Sequence, residues 1–202
     1  MQLIHAAASP FARKVRVLAS ETDLLQRIEL IDTAVLPVTL NEQVNALNPL
    51  GKIPVLLTDD GQALFDSRVI CEYLDSLHDH PRLFPAEPTT RWRTLRLAAL
   101  ADGLMEAALL TRYERAVRPA ECQWDDWAEG QLGKVRRTLQ ALEQQASDLR
   151  GPVDIAQISV ACALGYLDFR FADLAWRSSS PALEKFQAVF AARESMLATA
   201  PK

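Results

Sequence analysis

"QLIHAAASPFARK", residues 2–14, carries a short apolar run, a stretch of small residues and a Ser-Pro pair within one stretch of chain. "QLIH" predicts a first strand. Ser9 followed by Pro10 predicts a helix with Ser9 as N-cap and Pro10 at the first helical position, where the fixed φ and missing N–H of proline do no harm. Phe11, Val15, Leu18 and Thr22 then fall on one face of that helix. Outward from there, "RIELI" (27–31) predicts a second strand and "LNEQVNAL" (40–47) a short helix that ends at Asn48-Pro49. "PVLLT" (54–58), the turn signal "DDG" (59–61) and "QALF" (62–65) predict a hairpin. Ser67 is expected to cap a helix whose apolar face is Ile70, Tyr73, Leu74 and Leu77. The order is βαβαββα.

The texture then changes. "HDHPRLFPAEP" holds Pro81, Pro85 and Pro88 and predicts a linker. Nothing beyond Thr89 reads as strand. One helix is predicted from about Arg91 to Arg118. A second carries Leu132, Val135, Leu139, Leu142, Ala146 and Leu149 at spacings of three and four, the seam of a bundle helix. A third starts at Asp154, and its stretch from Ile158 to Leu167 is so apolar that burial on nearly all sides is expected. A last helix starts at Ser180-Pro181, with Leu183, Phe186 and Phe190 inward. These elements divide into an α/β domain over 1–80, a linker over 81–88 and an all-helical domain over 89–202.

Composition narrows the function. Twenty-two basic and 26 acidic residues leave a net charge of −4, with no basic stretch dense enough for nucleic acid or a polybasic membrane surface. The three cysteines, Cys71, Cys122 and Cys162, are odd in number and widely spaced. That pattern argues against a disulfide framework or a zinc site and fits a reducing, cytoplasmic setting. No apolar run reaches the ~20 residues of a membrane span, and Arg13 and Lys14 follow "LIHAAA" rather than precede it, the wrong order for a secretory signal.

Five segments together carry a resemblance: "SPFARK" (9–14), "NPLGKIPVL" (48–56), "FDS" (65–67), "ALADGLMEA" (99–107) and "DIAQISVACALGYLDFR" (154–170). In this order the chain resembles a bacterial cytosolic glutathione S-transferase along its whole length. The resemblance implies a thioredoxin-like domain that binds glutathione, a helical domain that shapes a second-substrate site, and a homodimer; from the cysteine and histidine pattern no metal is expected. The chain departs from relatives with Cys-x-x-Cys or a single Cys at the first helix. Ser9-Pro10-Phe11-Ala12 stands there, so dithiol chemistry is not available. In place of a Ser/Thr-x-x-Asp capping box it has Asp154-x-x-Gln157, whose Gln157 is expected to reach back to the cap N–H.

Each implied site residue also has a plain structural reading. Ser9 is a helix cap by sequence, as Ser180 should be; the resemblance places its hydroxyl beside the glutathione sulfur, as the catalytic group. Arg13, one turn on, either adds positive potential or is solvated. Pro54 alone reads as a trans proline opening an edge strand; the resemblance implies a cis Ile53-Pro54 bond that presents the Ile53 backbone to the cysteinyl backbone of glutathione. Asp66 and Ser67 read as a capping pair, or as partners of the γ-glutamyl ammonium and carboxylate. Lys52 is an exposed cation or a partner for a carboxylate. Glu106 is a solvated helix residue or reaches the partner subunit's glutathione. Phe11, Met105, Leu109 and Tyr113 are candidates for the second-substrate pocket.

The remaining features have bland readings. His78 and His80 are expected to be solvated, as is the face with Arg112, Arg115 and Arg118. Trp92, Trp124 and Trp127 are expected to pack, and Cys162 to be an inert core thiol. The leading function is attack of glutathione thiolate on an unknown electrophilic, partly apolar small molecule, as in detoxifying transferases. The alternatives are glutathione-dependent ether cleavage or dehalogenation, and a non-catalytic interaction or regulatory protein on the same fold.

Overall fold

The computed structural model describes residues 1–201. Its strands are β1 (Gln2–His5), β2 (Glu29–Asp32), β3 (Val55–Leu57) and β4 (Ala63–Leu64). Its helices are α1 (Pro10–Glu21), α2 (Glu42–Leu47), α3 (Ser67–Asp75), α4 (Pro88–Ala116), α5 (Asp125–Gln144), α6 (Ile155–Arg170), α7 (Pro181–Phe190) and α8 (Glu194–Ala198). The chain divides into two compact units: Met1–Phe84 with the segment from Glu194 onward, and Pro85–Arg193.

The first unit has the expected βαβαββα order. Its four-stranded sheet runs β2-β1-β3-β4. β1 is parallel to β2 and antiparallel to β3, and β3 is antiparallel to β4. Thr58 ties the hairpin turn: its Oγ1 accepts from Gln62 N at 2.9 Å and donates to the Asp60 carboxylate. Strand alternation sorts the core to two faces. Ile4 and Val55 bury against Val44 of α2. Their neighbours Leu3 and Leu56 point to the other face and are wholly buried, as are Val15 and Leu18 of α1 and Ile70 and Leu74 of α3.

Three features of this unit differ from expectation. Arg13 is not solvated: it is 8 % exposed, and its Nη2 donates to the Met196 carbonyl at 3.0 Å. That carbonyl belongs to α8, which packs on α1. The end of the chain therefore joins the α/β unit instead of the helical domain expected over 89–202. His78 is not solvated either. It is 7 % exposed, with Nε2 3.1 Å from Asp75. The buried Asp75 carboxylate also accepts from Leu83 N at 2.7 Å and Phe84 N at 3.3 Å, which fastens the start of the expected linker to the end of α3. His80 is exposed and pairs with Asp23. The third difference is the α3 cap: Asp66, not Ser67, is the N-cap, its Oδ1 accepting from Arg68 N at 2.9 Å.

In the second unit α4 packs on both α5 and α6. Ile155 through Leu164 of α6 are all buried, as its composition predicts. Asp154 caps α6 by accepting from Gln157 N at 3.0 Å, and its other oxygen accepts from Thr94 of α4 at 2.9 Å. Gln157 does not reach back to the cap N–H; its Nε2 donates to the Pro152 carbonyl at 2.7 Å, an acceptor the preceding turn leaves open. Trp92 and Trp124, expected to pack, are exposed, while Trp176 is buried. No single helix among the described residues is long and apolar enough to cross a membrane.

The two Ser-Pro helix starts differ. Ser9 Oγ accepts from Ala12 N at 3.2 Å. Ser180 makes no such bond. At α7 the amides of Ala182 and Leu183 donate to the Glu143 carboxylate of α5 at 2.8 and 2.9 Å. Ser9→Ala should therefore cost about 0.5–2 kcal/mol of stability, Ser180→Ala, which removes no capping bond, less than Ser9→Ala, and Glu143→Ala about 1–3 kcal/mol. Denaturant titration of the three variants checks that order.

His5, at the end of β1, is buried. Burial holds its imidazole below the usual 6.5, aided by Arg16 and opposed by Asp32. Between the folded value and the unfolded 6.5 the unfolded chain binds more protons. This contribution to stability is thus present above 6.5 and is lost as pH falls through the folded value. Melting temperature against pH should show that loss, and His5→Gln should flatten it.

Candidate functional site

β1 and β4 end, and β3 begins, at one edge of the sheet. The registers Ile4↔Val55 and Leu56↔Leu64 show this, since continuing both chains brings Ala6 and Ser67 toward Ile53. Three elements therefore open there: the N-terminus of α1, the loop before β3 and the N-terminus of α3.

At the first, Ser9 is half-buried and extended, φ −77° and ψ 120°. Its oxygen accepts the cap bond from Ala12, while its hydroxyl proton has no acceptor among the described residues. A hydroxyl can accept and donate at once, so the cap leaves the donor free for an anion.

The loop before β3 is folded around Asn48, which is 2 % exposed. Asn48 Oδ1 accepts from Leu50 N at 3.0 Å, Nδ2 donates to the Lys52 carbonyl at 2.8 Å, and its backbone carbonyl accepts from Gly51 N at 2.9 Å. Gly51 has φ +62°, and a Cβ there would meet Asn45 Oδ1 at 3.0 Å, so glycine suits this bend on both counts. The Ile53-Pro54 bond is cis, as the resemblance implies. Ile53 is half-buried, and neither its N–H nor its C=O has a partner among the described residues. Lys52 is exposed.

At the third element Asp66 is exposed and caps α3, while Ser67 is 2 % exposed. Asp66 takes only the Arg68 amide, so the Ser67 hydroxyl and the Ser67 and Val69 amides have no acceptor among the described residues. This edge thus gathers Ser9, Ile53, Pro54, Asp66 and Ser67 with donors to spare and two positive helix ends. It suits a small anion with an extended backbone.

Of the residues expected around a second substrate, Phe11, Leu109 and Tyr113 are half-buried, whereas Met105 is wholly buried and presents no surface. Glu106 is exposed on α4. Sequence reasoning missed two polar residues that α6 sets against α4. Tyr166 is 3 % exposed, and Arg170 lies one turn further on, its guanidinium 3.9 Å over the Phe169 ring. The Arg112 charge acts on Tyr113, Tyr166 and Arg170 alike. Burial pushes the Tyr166 phenol up to about 12, and that of Tyr113 upward too. The available signal was a tyrosine in an otherwise apolar helix with an arginine four residues later.

A cavity of about 520 Å³ lies beside Asp168, Ala172, Ala175, Trp176, Arg177 and Ser178. Its polar groups are spent on one another: Asp168 accepts from Trp176 Nε1 at 2.8 Å and from both terminal nitrogens of Arg177. No group of three or more His, Cys, Asp or Glu that could hold a metal occurs among the described residues.

The sequence pattern described as "Glutathione S-transferase, N-terminal domain" matches residues 8–77, and that of the C-terminal domain matches residues 125–191. An uncharacterized GST-like protein, YibF, of Escherichia coli (strain K12) is 37 % identical over 204 residues, covering 100 % of this chain and 98 % of that protein. A stringent starvation protein A homolog of Pasteurella multocida (strain Pm70) is 34 % identical over 122 residues, 58 % of this chain and 55 % of that one. Among solved structures, a glutathione transferase family member from Pseudomonas fluorescens Pf-5 with bound glutathione is 50 % identical, with a TM-score of 0.98 over 100 % of this chain and 98 % of that chain. A further crystal structure from that organism, 49 % identical with a TM-score of 0.93 and full coverage of both chains, holds S-(propanoic acid)-glutathione. By these matches, and by the architecture they share with it, the chain belongs to the glutathione S-transferase family.

Proposed function

We propose that the sheet edge binds glutathione and holds its thiol as thiolate for attack on an electrophilic, partly apolar small molecule. The observation that carries this reading is the Ser9 hydroxyl, which caps α1 with its oxygen and keeps its proton for another acceptor. The thiolate is the nucleophile, and a free thiol with pKa near ~8.5 is mostly protonated at neutral pH. Lowering that value by about two units takes ~2.7 kcal/mol, within reach of a hydroxyl donor and the positive end of α1 acting together. The unpaired Ile53 backbone groups take the cysteinyl backbone. The open end of α3 with Ser67 takes the γ-glutamyl carboxylate, Asp66 takes its ammonium, and Lys52 takes the other carboxylate. The relatives with bound glutathione and with a glutathione conjugate support this reading.

The active form is read as a cytoplasmic homodimer in which Glu106 approaches the partner subunit's glutathione. Cys71, Cys122 and Cys162 form no disulfide, which accords with a reducing compartment. Partial similarity to a stringent starvation protein A homolog favours one other reading, a protein of this fold that binds a partner without catalysis.

Two variants separate binding from activation. Asp66→Ala with Ser67→Ala should weaken glutathione binding by more than about tenfold in calorimetry. Ser9→Ala should leave that affinity nearly unchanged, raise the pKa of the bound thiol by about one to two units and move the pH profile of conjugation upward. The ultraviolet absorbance of the thiolate reports that pKa. Equal values in wild type and variant would confine Ser9 to capping. Glutathione binding without turnover of any electrophile would favour the non-catalytic reading.

Sedimentation or light scattering at micromolar concentration tests the dimer: a monomer there would remove both the dimer and the Glu106 role.

A further inference from the structure

Asn48 closes α2 as its C-cap, is 2 % exposed, and spends all four of its polar groups on main chain. Its N–H donates to the Val44 carbonyl at 2.8 Å, and its C=O accepts from Gly51 N at 2.9 Å. Its Oδ1 accepts from Leu50 N at 3.0 Å, and its Nδ2 donates to the Lys52 carbonyl at 2.8 Å. The first three bonds end the helix and fold the turn after it. The fourth reaches the candidate site. The Lys52 carbonyl belongs to the same peptide group as the Ile53 N–H, and this is the one hydrogen bond made to that group among the described residues.

A peptide group is planar, and in the trans form its C=O and N–H point in opposite directions. The Lys52–Ile53 bond is trans. A carbonyl drawn toward the buried Asn48 amide therefore turns the Ile53 N–H away from it, out of the turn. Without that bond, ψ of Lys52 and φ of Ile53 are free to counter-rotate and tip the plane over, because the soft dihedrals on either side of a rigid peptide are its only hinges.

We infer that Asn48 is a positioning residue for glutathione: by holding the Lys52 carbonyl, its side-chain amide aims the Ile53 N–H at the cysteinyl carbonyl of the tripeptide. The inference rests on the glutathione reading above and adds the residue that orients its backbone contact. Two effects follow. The N–H is aimed before the ligand arrives, so binding does not have to order it. A donor on the C=O side also polarises the peptide, which makes its N–H a stronger donor. An amide accepts with one atom and donates with the other, as this turn requires; a carboxylate of the same shape only accepts. The Ile53 contact is the same for bound thiol and bound thiolate, so its loss weakens both equally and leaves the thiol pKa in place.

Two variants test this. Asn48→Asp keeps the shape and the Leu50 bond but sets a carboxylate against the Lys52 carbonyl. Asn48→Ser stays neutral, keeps an acceptor for Leu50 N and cannot reach Lys52. Each should weaken glutathione in calorimetry by about five- to tenfold. In Asn48→Ser the pKa of the bound thiol, followed by thiolate absorbance, should stay at the wild-type value. By nuclear magnetic resonance of nitrogen-15-labelled wild type, glutathione should move the Ile53 amide proton downfield, as a newly made hydrogen bond requires. That move should shrink in both variants while the Ser67 amide still responds. Wild-type affinity in the variants would overturn the inference and leave the glutathione reading standing. So would weakened binding with the Ile53 response intact, or a thiol pKa that shifts together with the affinity, the mark of a general distortion of the site. The wild-type spectrum decides even where a variant does not fold: an Ile53 amide unmoved by bound glutathione overturns the inference. Failure of the wild type to bind glutathione would overturn both readings.

Discussion

Antiparallel pairing of β1 with β3, and of β3 with β4, ends three strands at one edge of the four-stranded sheet. Two helices start from that edge, α1 a few residues after β1 and α3 directly after β4. A helix cannot satisfy its own first N–H groups, so the edge inherits unspent donors and two positive dipole ends from topology alone. The Asn48-centred loop then brings in the Ile53 amide and carbonyl, which join neither a helix nor the ladder. The positive character of the site thus comes from backbone, in a unit whose cations Arg13 and Lys14 are buried and whose Lys52 is exposed. It survives substitution of most side chains and fails if the pairing slips, because a register shift would point Ile4 and Val55 away from Val44.

The two Ser-Pro pairs show how little a local motif says about its own chemistry. Both start helices, and proline suits the first position of each. At α7 a carboxylate from α5 reaches the free amides first, and the serine is left without the capping role. At α1 no carboxylate intrudes: its first turn holds no acid. Ser9 therefore keeps the cap, and no side-chain anion competes for the open amides at this helix start. A negative side chain placed there would satisfy the same amides and repel any incoming anion.

What was legible in the sequence follows from the range of the interaction behind it. Strand and helix order is set by apolar period and turn residues, all local, and it was readable except for α8, which follows the helix expected to be the last. The burial of α6 was readable from composition for the same reason. Arg13 was not: its burial depends on a carbonyl 183 residues away. His78 was not, because Asp75 is recruited by the backbone of Leu83 and Phe84 and draws the imidazole in with it. Asp66 and Ser67 exchanged capping roles by one position, within the usual uncertainty of a helix boundary. The candidate glutathione residues were found through resemblance. The residues alone allowed a cap, a plain proline and an exposed lysine, and only the convergence of their elements on one sheet edge gives them a common purpose.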